Sequence, residues 1–329
     1  MQAAPATSPT YKALKTPPKT EDMTVPSNDF STACNCHRGA AAQPGRRLFT
    51  SALLAGGLAS ALPAQASIPE CQRSGFTKAV SADQVEGGAV QQYKQMLQQA
   101  NSQRALVAPE NAQVQRLRYI AQRMIPFTPE CNERARAWQW EVNLIGSRQI
   151  NAFCMPGGKI AFYYGILSEL QLDDDEVAVV MGHETAHALL EHAREQMGKK
   201  MVTNGGLRLG AALLGLGNLG DMAAQVGSNL LTLKFGRDDE SEADALGLIM
   251  AARAGFDPRK GVSLWQKMMG GNKNAPPALL STHPAGPTRI KDIEAHLPQV
   301  MPMFEAASKP DRRFAAPAKL PPPKAQQPG

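Results

Sequence analysis

His183-Glu184-Thr185-Ala186-His187 sets two imidazoles four residues apart, with a carboxylate beside the first. On a helix that spacing puts both histidines on one face, about a turn apart, where their ring nitrogens can hold one metal ion. Glu184 then lies next to the ion and can take a proton from a water on it. A Lewis acid, a water made nucleophilic near neutral pH and a base are together what hydrolysis of a peptide bond needs. The competing reading of these five residues is a surface helix on which two histidines and a glutamate coincide.

The flanks favour the metal. Asp173-Asp174-Asp175-Glu176 supplies N-cap candidates and first-turn acids where a helix should begin. Val177, Val180, Met181, Leu189 and Leu190 form the apolar stripe that would bury it. Polar groups on a buried helix need partners, because leaving one unpaired costs several kcal/mol. A catalytic zinc takes three protein ligands and keeps one position open. A second helix is expected to open at Arg237-Asp238-Asp239-Glu240-Ser241-Glu242-Ala243-Asp244-Ala245 and to run to about Ala254, before Gly255 and Pro258. Glu240 and Asp244 share a face at i and i+4, so one can bind the ion while the other supports a histidine. Spacing leaves Asp239, Glu240 and Glu242 open as third ligand, and a solvated acidic first turn remains the bland alternative.

Together these segments resemble the zinc metallopeptidases of the CAAX prenyl protease, HtpX and Oma type, which carry H-E-x-x-H on one helix and E-x-x-x-D on a later one. Glu240-Ser241-Glu242-Ala243-Asp244 fits the second pattern, so the resemblance implies Glu240 as third ligand and Asp244 behind a histidine. Asn151-Ala152-Phe153 with Pro156-Gly157-Gly158, Ala254-Gly255-Phe256-Asp257-Pro258, and Ser281-Thr282-His283-Pro284 with Arg289-Ile290 resemble further elements of the family, in the expected order from about Val107 to Leu297. Cys154 departs from the usual aliphatic or small residue. The resemblance implies an α+β fold: a mainly helical, zincin-like metallopeptidase domain with a small mixed or antiparallel sheet beside the catalytic helix. It implies one Zn²⁺ per chain on His183, His187 and Glu240, with Glu184 as base. His283 and Arg289 are candidate donors to the developing oxyanion, and His283 is alternatively a further metal ligand in a resting state. His192 falls off the metal-facing line of a continuous helix and His296 lies near a helix end, so both are expected to be structural or solvated.

The elements that position these groups follow from periodicity. Helices are expected from Asp83 to about Ala108 and from Asn111 to Met124, and strands over Trp138–Leu144 and Lys159–Tyr164. In the family the Lys159–Tyr164 strand lies at the edge of the cleft, where it could pair with an extended peptide. Pairing within the sheet is the alternative. Leu207 to Gly220 is rich in Leu, Ala and Gly but too short and interrupted for a membrane span. A mobile cover over the cleft, an interfacial patch or core packing would each account for it.

The formal charge of +6 belongs to the ends. Residues 1–66 carry six Lys/Arg against three Asp/Glu and residues 309–329 five against one, which leaves the remainder at −1. That is no electrostatic footprint for nucleic acid. Gly45-Arg46-Arg47-Leu48-Phe49-Thr50, the apolar run Leu53 to Leu62 and Ala64-Gln65-Ala66 resemble a twin-arginine or general secretory signal, with cleavage after Ala66. The expected organisation is an export signal with a long leader over 1–66, a metallopeptidase domain over 67–300 and a Pro/Ala/Lys-rich disordered tail over 301–329. The expected location is the periplasm of a bacterial envelope, and an uncut signal would instead anchor the chain at the membrane. Of the cysteines beyond the signal, Cys71, Cys131 and Cys154, the pair Cys71–Cys131 is favoured, with other pairings and three free thiols left open. The expected partners are polypeptides, in particular unfolded or misassembled envelope proteins, with peripheral membrane contact possible in principle. A chaperone-like peptide-binding protein with a non-catalytic zinc is the competing class.

Overall fold

The computed structural model describes residues 71–213, 230–270, 277–284 and 288–319, with backbone alone over 204–213. The expected export signal and the second half of the Leu207–Gly220 segment, residues 214–220, lie outside the described residues. Among the described residues no helix is long and apolar enough to cross a membrane.

The chain opens with Cys71, which is disulfide-bonded to Cys131 across 60 residues of sequence, as expected, and Cys154 is the free, buried thiol. Helix α1 (Ala82–Ser102) stops short of the expected Ala108. Arg104 takes a left-handed φ of 55°, and Leu106 and Val107 then run beside the sheet, bridging Ile145 and bonding Leu144 O. Helix α2 (Ala112–Met124) is capped by Asn111, whose side chain accepts from Gln113 N. Three short strands follow: β1 (Glu141–Ile145), β2 (Ala152–Met155) and β3 (Lys159–Tyr163). Their spatial order is β1-β3-β2, with β1 parallel and β2 antiparallel to β3, so the sheet is mixed. The expectation that the Lys159–Tyr163 strand borders the cleft is therefore corrected. β3 is paired on both sides, and β2 is the edge. The hairpin between them turns through Gly157 and Gly158 at φ of 84° and 75°, a region open to glycine without strain.

Helix α3 (Tyr164–Glu169) leads into α4 (Asp174–Leu189), which carries the H-E-x-x-H residues. Asp173 caps α4: its carboxylate accepts from Glu176 N and its own N–H donates to the Glu176 side chain, both at 2.9 Å. α4 is buried along nearly its whole length. The remaining helices are α5 (His192–Leu213), α6 (Arg237–Arg253), α7 (Lys260–Gly270), the short α8 (Leu279–Thr282) and α9 (Arg289–Ala306). α6 ends at Ala254 with Gly255 in a left-handed turn, as its sequence indicates.

Two glycines decide how closely α4 and α6 pack. A Cβ on Gly182 would sit 2.6 Å from Gly247 O, and one on Gly247 would sit 2.6 Å from His183 N. The helices thus cross backbone to backbone at the first histidine, which brings Glu240 and Asp244 within reach of it.

The expectation of a disordered tail from residue 301 is corrected for residues 301–319, and residues 320–329 lie outside the described residues. α9 continues through Pro298 and Pro302 to Ala306, with Val300 buried and Met303 and Phe304 packed on the core. Residues 307–319 then run along α2 and the start of α4. Phe314 N donates to Asp174 Oδ2 at 2.8 Å, Gln113 donates to Ala315 O and Gln171 donates to Pro317 O. Composition cannot show such backbone pairing.

Asp174 is also bound at 2.6 Å by Arg116, which is fully buried and donates to Leu172 O as well. Removing one member of a buried ion pair strands the other charge, at about 3–5 kcal/mol. Because Phe314 N and the α4 N-terminus still face Asp174, Arg116→Met should cost about 3 kcal/mol. Urea unfolding measures this, and a loss below about 1 kcal/mol would show that the pair is not stabilising.

Candidate metal centre

α4 points His183 and His187 toward the first turn of α6 and toward the end of α8. Their Nε2 atoms are 3.2 Å apart. Glu240 Oε1 lies 3.4 Å from His187 Nε2, and Oε2 lies 3.6 Å from His183 Nε2. His283 Nδ1 joins them, 3.2 Å from His183 Nε2 and 2.9 Å from Glu240 Oε1. All four residues are buried, and one donor atom from each lies within 4.8 Å of the others. Four donors placed tetrahedrally about 2.0–2.1 Å from zinc would be roughly 3.3–3.4 Å apart. Lone pairs crowded together in a site sealed from water repel one another unless a cation sits between them. The residues therefore fit a single zinc ion.

Of the three acids that spacing left open, Glu240 is the one in the cluster. Asp239 instead caps α6, accepting from Gly236 N at 2.8 Å, and Glu242 points away toward His192. Asp244 Oδ1 is 3.0 Å from His183 Nδ1, the position from which a carboxylate holds that nitrogen protonated and leaves Nε2 free. Glu184 lines the cleft with Oε1 lacking a hydrogen-bond partner among the described residues, and with Oε2 3.6 Å from His283 Nε2.

Electrostatics follow from burial. Desolvation raises the Glu184 carboxyl above the ordinary range, against the pull of His283 and His183. Desolvation also takes His187 well below its usual value, keeping the ring neutral as a ligand must be. For Glu240 burial acts upward, but contacts with His187 and His283 win and hold it far down as a carboxylate. His283 is likewise disfavoured by burial yet raised overall by Glu184 and Glu240. Burial pushes the Cys154 thiol up, so this cleft residue is a small apolar group with no thiolate to offer.

Two sequence expectations change here. Arg289 was a candidate oxyanion donor, but Nη1 is bound to Glu240 Oε2 at 2.5 Å and Nη2 to Asp244 Oδ1 at 2.8 Å, with the guanidinium 3.5 Å over Trp265. Both terminal nitrogens are engaged by carboxylates, so it positions Glu240 and Asp244, while Nε has no hydrogen-bond partner among the described residues. Of the two alternatives for His192, structural or solvated, the structure shows the first, with a contact the sequence did not indicate: it is 1 % exposed, with Nδ1 2.8 Å from His187 Nδ1. His296 lies half-buried in the middle of α9, which runs on to Ala306, and not near a helix end as its sequence suggested. Reasoning from sequence also missed Phe235, which stacks on the His187 ring at 4.1 Å. An isolated aromatic carries no periodic signal.

The cleft runs between β2, whose residues Asn151 to Pro156 form one wall, and Leu230, Leu231, Leu233 and Phe235 opposite, with Glu184, His187 and His283 at its floor. Among the described residues β2 pairs only with β3, so its second edge is unpaired, and its residues line this cleft.

Comparison with known proteins agrees with this geometry. The sequence profile of peptidase family M48 matches residues 111–297. The chain is 37% identical over 164 residues to the mitochondrial metalloendopeptidase OMA1 of Schizosaccharomyces pombe, covering 49% of this chain and 48% of that protein. It is 36% identical over 152 residues to the Arabidopsis thaliana protein of the same name, covering 46% and 30%. It is 29% identical over 183 residues to the beta-barrel assembly-enhancing protease of Yersinia pestis, covering 52% and 37%. The chain thus spans about half or less of the length of these relatives.

Proposed function

The chain belongs to peptidase family M48, and from that premise we propose that it is a zinc-dependent endopeptidase of unfolded or misassembled cell-envelope proteins. The observation that carries the reading is the meeting of His183, His187 and Glu240, from helices far apart in sequence, beside a Glu184 carboxylate whose Oε1 has no hydrogen-bond partner among the described residues. When bound, zinc would polarise the scissile carbonyl and acidify the attacking water. Glu184 is the base that takes the water's proton and later hands one to the leaving nitrogen. Asp244 keeps His183 protonated on Nδ1, and Arg289 holds Glu240 Oε2 in place. The second edge of β2 offers backbone donors and acceptors to an extended peptide, which gives affinity with little dependence on side chains. His283 stands in the fourth donor place and must withdraw before substrate can use it.

The substrate class is supported by the name of the Yersinia relative and by the signal-like residues Arg46 to Ala66. Export is tested separately from chemistry. A mature N-terminus at Ser67 in the periplasmic fraction is expected, and one well upstream would remove the envelope assignment while leaving the peptidase. The peptidase itself is tested by metal analysis together with hydrolysis of an unfolded protein such as casein, before and after chelation. Stoichiometric zinc and chelator-sensitive cleavage are expected, and a chain with neither is not this enzyme.

A further inference from the structure

His187 turns Nε2 toward the donor cluster and leaves Nδ1 facing His192 Nδ1 at 2.8 Å. His192 Nε2 in turn lies 3.2 Å from Glu242 Oε2. Two imidazole nitrogens at 2.8 Å share one proton, so one ring donates and the other accepts. A lone pair directed from His187 Nε2 at a cation leaves that ring's proton on Nδ1. His192 Nδ1 must then accept, and its own proton sits on Nε2, where the Glu242 carboxylate accepts it. This single assignment satisfies every contact in the chain of groups.

We propose that His192 is a positioning residue for the metal ligand His187, fixing its tautomer and ring orientation, with Glu242 fixing His192. The inference rests on the zinc reading of the site. The two ligand histidines are then supported differently: His183 meets the carboxylate of Asp244 directly, whereas His187 meets a neutral imidazole that relays to one. The Glu242 side chain is 57% exposed, so solvent screens its pull, and the larger effect belongs to His192.

A break in the backbone creates the contact. On one continuous helix, residues 187 and 192 would point about 140° apart. α4 ends at Leu189, Glu191 takes a left-handed φ of 60°, and α5 restarts at His192, folding its ring back onto His187. Phe235 stacks on the His187 ring and lies tilted against that of His192, excluding water from the pair.

The test is zinc affinity of the full chain by chelator competition, with ¹⁵N chemical shifts of the ring nitrogens. His192→Leu, which keeps volume but accepts no hydrogen bond, should weaken zinc binding about 10–100-fold. His192→Gln, whose amide oxygen can accept from Nδ1–H, should stay within about threefold of wild type, and Glu242→Ala should lose about threefold. A loss below about threefold in His192→Leu overturns the proposal, and so does an equal loss in His192→Gln, since packing would then be the whole effect. If His192→Leu does not fold, the zinc-loaded wild type decides. Protons on His187 Nδ1 and His192 Nε2 support the relay, and a His192 protonated on Nδ1 overturns it. A wild-type chain that binds no zinc removes the reading of the site and this proposal together, a result distinct from any difference among variants.

Discussion

Glu184→Gln should abolish hydrolysis of an unfolded protein, by about 10²–10⁴-fold in kcat, while zinc content stays at that of the wild type. The substitution keeps the shape of a side chain that is 2 % exposed and touches no metal donor position, so the ligands should not move. What it removes is the acceptor for the water's proton. Stability offers an independent check. In the zinc-free chain the Glu184 carboxyl is raised by burial, so folding favours its protonated form. Such a group supports the fold at pH below its unfolded value, and that support fades as pH rises through the folded one. At pH above the unfolded value the buried carboxyl therefore disfavours folding, and Glu184→Gln should unfold at the same temperature as wild type or higher. Equal turnover by the two proteins would show that Glu184 is not the base. No turnover by either, with zinc bound, would make the chain a zinc-containing peptide-binding protein.

The second large effect separates two donors that stand side by side in the cluster. Glu240→Ala should lose zinc affinity by well beyond the 10–100-fold expected for a supporting residue, because it takes away a ligand. It also leaves Arg289 with Asp244 as its one carboxylate among the described residues. His283→Ala should do the opposite to activity. Four protein donors close a zinc site, whereas three leave a place for water and substrate. If ligation by His283 holds the closed arrangement by about 1.4 kcal/mol, freeing that place raises turnover about tenfold, with zinc retained by His183, His187 and Glu240. Turnover on casein and metal content, measured on both variants, check this. A His283→Ala enzyme that keeps zinc and loses activity would instead make His283 the oxyanion donor that its place near the active site also suggested.

Much of the fold was legible because its signals are local. The start of α4 among the N-cap candidates Asp173–Glu176, the start of α2 near Asn111 and the Gly255 stop each depend on a few adjacent residues, and each formed where the sequence indicated. The strand order was not legible. β1 and β2 both pair with β3, and only three-dimensional pairing puts β2 rather than β3 on the cleft. The contact of His192 with His187 was not legible for a related reason: a helical projection assumes an unbroken helix, and the left-handed Glu191 breaks it. Arg289 was recognised as part of the site, but its contacts with Glu240 and Asp244 were not legible, because they depend on which carboxylates surround its two terminal nitrogens.

By itself the sequence determined the donor chemistry of this protein. Two imidazoles and a base at i, i+1 and i+4, with a carboxylate pair at i and i+4 on a later helix, are enough to name a metal and a hydrolytic water, since helical spacing aligns them within each segment. The tertiary structure alone decided that Glu240 completes the cluster, that His283 enters it and that His192 and Arg289 brace it. The choice of His192 depends on the break at Glu191, and the others depend on the glycine-on-glycine crossing of α4 and α6 and on segments 43 to 106 residues apart in the chain. Contacts of that separation leave no periodic mark in a sequence, because they are selected by packing.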